Sequence, residues 1–173
     1  PPGPVQVPHR VQHQIAGVGV ARTFQNLGLF PALSVLDNVM VGAHHRTRAC
    51  FITGALRLPG VAREERATRQ RALDLLDRLD LAHLARRPAA GLPYGTLKRV
   101  EIARALAADP VLLLLDEPAS GLTHAEVDEL GDVILRIRAE LDLAVLLVEH
   151  HMSLVMRGSD HVVALDPGRA IAE

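Results

Sequence analysis

Apolar residues recur at Val127, Leu130, Ile134, Ile137 and Leu141, stepping by three, four, three and four. That spacing predicts an amphipathic helix. Two continuous apolar runs flank it, Val111–Leu115 and Leu143–Val148. Each is too short for a helix and reads as a strand buried on both faces of a parallel sheet. Strand, helix, strand is a βαβ crossover, so the expected class is α/β. Upstream, Ala72, Leu75, Leu76 and Leu79 predict a helix from Glu64 to Leu84, closed by Arg86-Arg87-Pro88. Ser34 and Asp37 form a capping-box pattern ahead of Val35, Leu36, Val39 and Met40. The middle third is therefore helical, an insertion into the α/β frame, with mixed text over Ala43–Gly60. Val18–Ala21 reads as a short strand, and Val162–Leu165, Asp166-Pro167-Gly168 and Ala170–Ala172 as a terminal hairpin. His9–Ala16 reads as a short helix ended by Gly17, after a proline-rich lead-in. No internal repeat is present.

Length and composition narrow the function classes. The 173 residues suit one ordinary domain, and 49% hydrophobic content excludes wholesale disorder. A net charge of −1 and 2% aromatic residues argue against a nucleic-acid binder. Cys50 is the only cysteine, which excludes an internal disulfide and a cysteine zinc cage. No apolar run approaches the ~20 residues of a membrane span, and the N-terminal residues do not read as a signal peptide. A cytosolic location is the default expectation, with any membrane connection made through a partner.

Candidate chemistry sits at strand and helix ends. Leu112–Leu115 runs into Asp116-Glu117-Pro118, placing two carboxylates at the carboxyl end of a parallel strand, where open α/β sheets bind ligands. Asp116 suits Mg²⁺, held directly or through water, and Glu117 suits orienting and deprotonating a water. An ordinary polar strand end fits the same text. Leu92-Pro93-Tyr94-Gly95-Thr96 precedes a helix expected over Leu97–Ala108, whose first amides suit an anion. Lys98 and Arg99 in its first turn favour phosphate, although a plain turn would read alike. Val148-Glu149-His150-His151 puts a histidine beside the second strand, suited to touching a phosphoryl group or simply to solvent. Gln25 is the kind of side chain that orients a water or completes a metal shell. The remaining histidines, His44 and His45 included, lack metal-ligand spacing.

The order Thr23-Phe24-Gln25-Asn26, Leu92–Gly95, Leu115–Pro118, Glu149-His150 resembles the nucleotide-binding subunit of ABC transporters, from about Gly17 to the last residue. The resemblance implies an incomplete P-loop NTPase-like parallel-sheet core with a helical subdomain. By it, Gln25 is the Q-loop glutamine that touches Mg²⁺ and links to a transmembrane permease. Leu92, Pro93, Tyr94, Gly95 and Thr96 are the signature that contacts ATP held by a second subunit. Asp116 is the metal-holding Walker B aspartate, Glu117 the catalytic carboxylate, and His150 the switch histidine. Ser120, Gly121, Leu122 and Thr123 form the D-loop. Implied segments are residues 1–34, the end of the N-terminal lobe with the Q-loop; 35–91, the helical subdomain; and 92–173, the signature helix and the Walker B, D-loop and H-loop core. Implied cofactors are ATP and Mg²⁺. Implied partners are permease subunits, a second ATP-binding subunit in a homo- or heterodimer and, indirectly, a substrate-binding protein, at the cytoplasmic face of the plasma membrane.

Gly17–Asn26, Leu29-Phe30-Pro31, Val100–Leu106 and Glu149-His150 with Met152 are similar to the branched-chain amino-acid importer branch, with the urea branch close behind. Departures are Pro93 where the family most often has Ser, Thr96 for Gln, and Thr123 for the D-loop Asp. Of the 19 basic residues 18 are Arg, and the single lysine, Lys98, follows Leu97. No Gly-x-x-x-x-Gly-Lys-Ser/Thr exists in these residues. The expectation is an N-terminally truncated ATPase, inactive alone. The alternative is a non-catalytic module that docks on a permease or a partner ATPase.

Overall fold

The computed structural model describes residues 19–23, 27–43, 59–166 and 169–172. Phe24, Gln25 and Asn26 lie outside them, as do the helix expected over His9–Ala16, most of the mixed segment with His44, His45 and Cys50, and the hairpin's Pro167-Gly168.

Three parallel strands form the frame: β1 (Val20–Arg22), β2 (Leu112–Asp116) and β3 (Ala144–Val148), in the order β1-β2-β3. Helix α1 (Val35–Gly42) and helix α2 (Pro59–Arg78) fill the predicted helical middle, followed by a 3-10 turn at Ala82–Leu84. Helix α3 (Tyr94–Leu106) leads to β2, and α4 (His124–Leu141) crosses from β2 to β3. A short α5 (Met152–Gly158) and the antiparallel hairpin of β4 (Ala164–Asp166) and β5 (Arg169–Ala172) end the chain.

One apolar cluster joins the sheet to α1 through α4, and α5 packs through Leu154 into a second, smaller one with Ala119 and Val127. Val35 and Val39 of α1, Leu76 and Leu79 of α2, Val100 and Ala103 of α3, Leu113 and Leu115 of β2, and Leu130 and Ile137 of α4 all belong to the larger cluster. That cluster runs across residue 91, so the helical insertion shares its core with the sheet. Gly42 lets α1 and α3 meet closely, because a Cβ there would overlap the Arg104 carbonyl.

Several elements differ from the pattern. Neither run is buried on both faces. In β2, Leu113 and Leu115 are buried while Leu112, Leu114 and Asp116 are half-buried, and β3 exposes Leu146 and Val148. Along β3 the exposed Ala144, Leu146 and Val148 alternate with half-buried Val145 and Leu147. The matching Leu112 and Leu114 of central β2 are only half-buried, so one face of the sheet is less covered than the other among the described residues. The first strand starts at Val20, because Gly19 turns with φ +79° while its carbonyl accepts from Val111 and Leu112 N–H. Helix α2 stops at Arg78 rather than Leu84. Asp80 adopts a left-handed conformation, and Leu81 N–H closes on Leu76 O at 2.7 Å. Helix α3 begins at Tyr94, three residues before Leu97, which places Gly95 and Thr96 inside its first turn.

At α1 the N-cap half of the expected capping box is formed: Asp37 N–H donates to Ser34 Oγ at 3.1 Å, while the Asp37 carboxylate accepts from the Ser34 hydroxyl at 2.5 Å. The loop before α1 is fastened from two sides. Fully buried Asn38 donates from Nδ2 to the carbonyls of Phe30, Leu33 and Ser34 and accepts Phe30 N–H at 2.8 Å. From α3, Arg104 donates to Gly28 O at 2.5 Å. Burial holds the Arg104 guanidinium pKa below its ordinary value, against the opposing pull of Glu101.

Candidate functional site

The parallel register decides which side chains meet. Asp116 pairs with Val148 across β2 and β3, so Asp116-Glu117 and Glu149-His150 leave the sheet at the same carboxyl edge. Thr23 follows β1 to that edge; its backbone N–H donates to Leu114 O at 3.0 Å. Asp116, Glu117 and His150 are thus brought together, as the sequence expects. Glu117 has φ +45°, a left-handed conformation uncommon for a residue with a Cβ, and its N–H donates to Val148 O at 2.9 Å. The turn is pinned to the neighbouring strand at the residue proposed to do the chemistry. His150 is largely exposed, its ring 4.8 Å from that of His151.

Two residues at this edge were not singled out by sequence reasoning. Arg22 donates from Nη2 to Asp116 Oδ2 at 2.8 Å, so the carboxylate already carries a cation. Glu149 has a fully buried carboxylate that accepts Ala119 N–H at 2.7 Å, His150 N–H at 3.0 Å and His151 N–H at 3.3 Å. Both fall within motif text, Arg22 in Gly17–Asn26 and Glu149 in Glu149-His150, but that text assigns neither a role. Their partners are fixed by strand register, which a single sequence does not display.

Asp116, Arg22, Leu114, Leu146 and Val148 line a shallow cavity of about 150 Å³ on the sheet face. A larger hollow of about 520 Å³, between α2 and the ends of α3 and α4, contains none of the expected site residues.

The signature and D-loop segments lie against each other. Tyr94 packs on Gly121, where φ is +80° and a Cβ would lie 3.1 Å from the ring. Gly95 faces Glu126, with room for a Cβ only 3.0 Å from Oε1, and Leu122 stands beside it. Thr123 caps α4: its N–H donates to Glu126 Oε2 at 2.9 Å, and Glu126 N–H returns to its hydroxyl at 3.4 Å. Hydrogen bonds from the Thr123 backbone and then its side chain hold the Glu126 carboxyl pKa below its ordinary value. Pro93 is the N-cap of α3 and makes no side-chain cap bond. Leu97 N–H donates to Pro93 O, so Tyr94, Gly95 and Thr96 hold the first-turn amides, which have no intrahelical acceptor.

The charges at this helix end are not aimed as expected. Lys98 is buried with its ammonium 5.5 Å from the centre of the Tyr94 ring, and Arg99 pairs with Glu129 at 2.7 Å. Both cations are engaged within the protein, which leaves the helix amides as the anion-seeking feature.

Residues 5–120 match the ABC transporter family. The chain belongs to that family. Among family relatives, the high-affinity branched-chain amino acid transport ATP-binding protein BraF of Pseudomonas aeruginosa is 40% identical over 161 residues, 93% of this chain and 63% of its own length. LivG of Escherichia coli K12, of the same description, is 38% identical over 159 residues, 92% of this chain and 62% of its own length. This chain therefore spans less than two thirds of these curated relatives. In three dimensions it is similar to the ADP conformation of an ATP-binding cassette of an ABC transporter, with 27% identity and a TM-score of 0.76 over 94% of this chain and 63% of that one. A nucleotide-free cassette gives 26% identity and a TM-score of 0.75. The described residues contain no helix long and apolar enough to cross a membrane.

Proposed function

We propose that this chain acts as the ATP-binding subunit of an ABC importer, one that serves branched-chain amino acids. The carrying observation is the convergence of Asp116, Glu117 and His150 on one sheet edge, set by the Asp116–Val148 register. The names of its relatives supply the substrate class.

Asp116 fits Mg²⁺ chemically, since that ion binds through one or two carboxylates and keeps its waters and phosphates. The Arg22 side chain, 56% exposed, pairs with Asp116 at that position. Mg·ATP, when bound, would supply the phosphoryl group, with Asp116 holding the Mg²⁺ directly or through water. Glu117 orients and deprotonates water, and His150 stabilises charge at the transferring group. Gln25, outside the described residues, completes the metal shell and links to the permease. Leu92, Pro93, Tyr94, Gly95 and Thr96 present the α3 amides to a nucleotide held by a second ATP-binding subunit. Ser120–Thr123 carries the state of one site to the other. Residues 1–34 are the lobe end, 35–91 the permease-facing helical subdomain, and 92–173 the signature and core segment. The workplace is the cytoplasmic face of the membrane, reached through the permease, with a substrate-binding protein delivering cargo.

A second reading, a non-catalytic module docking on a permease or partner ATPase, is favoured by the Arg22–Asp116 pair and by the single, buried lysine. A Mg·ATP titration of the protein with its partner subunits separates the two. Magnesium-dependent binding that weakens in Asp116→Asn supports the ATPase. Binding indifferent to magnesium and to that substitution supports the docking module.

A further inference from the structure

We infer that Glu149 is a positioning residue that locks the carboxylate turn of β2 to the histidine turn of β3. This rests on the functional reading above for its catalytic consequence, though not for its geometry. The Glu149 side chain is fully buried at the end of an exposed edge strand. A buried carboxylate is costly unless hydrogen bonds compensate it, and this one accepts three backbone N–H groups. Oε1 takes Ala119, three residues beyond Asp116. Oε2 takes both His150 and His151. The bonds are to backbone rather than side chains, so they fix where each turn runs.

Among the described residues, Glu117 N–H to Val148 O is a second backbone link between the two turns, and Ser120 N–H closes the first turn on Glu117 O. Buried Ala119 packs in one apolar cluster with Leu154 and Leu147. Glu149 thus bears on both turns of the proposed reaction centre, through Ala119 on one and the His150 and His151 amides on the other, and Oε2 also lies 3.8 Å from His150 Nδ1. The side chains of Glu149, His150 and His151 have ligand atoms within 4.8 Å of one another, a spacing that invites a metal reading. Oε2 is already committed to two amides, which argues for a tether instead.

Glutamine is the telling replacement. Its amide keeps one acceptor oxygen and turns an NH₂ toward the other partner, so either Ala119 or the histidine pair faces a donor. Amide hydrogen exchange of the full chain is measured first. In Glu149→Gln, exchange at Ala119, His150 or His151 is expected to rise about tenfold or more, with the Leu113–Leu115 amides unchanged. Unchanged exchange at all three amides overturns the tether. Steady-state ATP hydrolysis by the protein with its partner subunits comes second. Turnover is expected to fall between about ten- and a hundredfold at unaltered nucleotide affinity, as for a misplaced catalytic group. Unaltered turnover, or loss of turnover and affinity together, overturns the positioning role. Absence of turnover in the wild type counts against the functional reading, and the exchange result then decides the tether by itself.

Discussion

Replacing Asn38 tests what holds the loop before α1. Asn38 is fully buried and makes four hydrogen bonds to the segment from Phe30 to Ser34. In Asn38→Ala the three carbonyls keep other donors: Leu33 N–H on Phe30 O, Ala89 N–H on Leu33 O and the residue-38 N–H on Ser34 O. The Phe30 amide loses the side-chain oxygen 2.8 Å away. One orphaned donor and a small cavity come to about 2–4 kcal/mol. Asn38→Asp sharpens the logic. Phe30 N–H keeps its acceptor, but a second carboxylate oxygen now stands where Nδ2 lay 3.0 Å from both Phe30 O and Ser34 O. Near neutral pH that buried, repelled charge makes Asp the worse substitution. On acidification the carboxyl takes up a proton and can donate once, so the gap to Ala narrows. Urea midpoints for the three proteins at pH 7.5 and pH 5 provide the readout. An aspartate variant as stable as alanine at pH 7.5, or a gap indifferent to pH, refutes the assignment of Nδ2 toward the carbonyls.

Other consequences are testable by stability alone. Gly42→Ala drives a Cβ into the Arg104 carbonyl, and thermal unfolding should reveal a loss of about 1–3 kcal/mol. Asn at the same position should be worse, since backbone cannot retreat from a longer side chain. Because its folded pKa is depressed, Glu126 contributes stability that is present above its unfolded pKa and lost as pH falls through the folded value. Glu126→Gln should flatten the acid limb of a stability–pH curve in that carboxylate window; a limb of unchanged slope contradicts the capping-box assignment. Thr123→Ala should cost about 1 kcal/mol, and Thr123→Ser, which keeps the hydroxyl that caps α4 and donates to Glu126 Oε2 at 2.8 Å, close to nothing in a denaturant titration.

Elements with strong local signals were legible, and so was the order of motifs. The three-and-four stepping of Val127 to Leu141 fixes α4, the Ser34–Asp37 pattern fixes the start of α1, and the two apolar runs are the expected parallel pair. What failed depended on partners distant in sequence. The exposure of Leu146 and Val148 follows from which face of the sheet other elements cover, not from the run itself. Helix ends slipped where single residues chose the left-handed region, as at Asp80, or where Pro93 served as cap. At the candidate site, Asp116, Glu117 and His150 announced themselves by type and position. Arg22 and Glu149 did not, because an ion pair across 94 residues and amides gathered across 30 are products of register.

The central claim is that Glu117, at the end of β2, prepares the attacking water. ATP hydrolysis by a version of the protein carrying an upstream P-loop segment and assembled with its partner subunits, compared between wild type and Glu117→Gln, tests it most directly. The account predicts turnover reduced by about a hundredfold or more with Mg·ATP binding retained, the loss expected when a general base is removed. Equal turnover in the two proteins would contradict it.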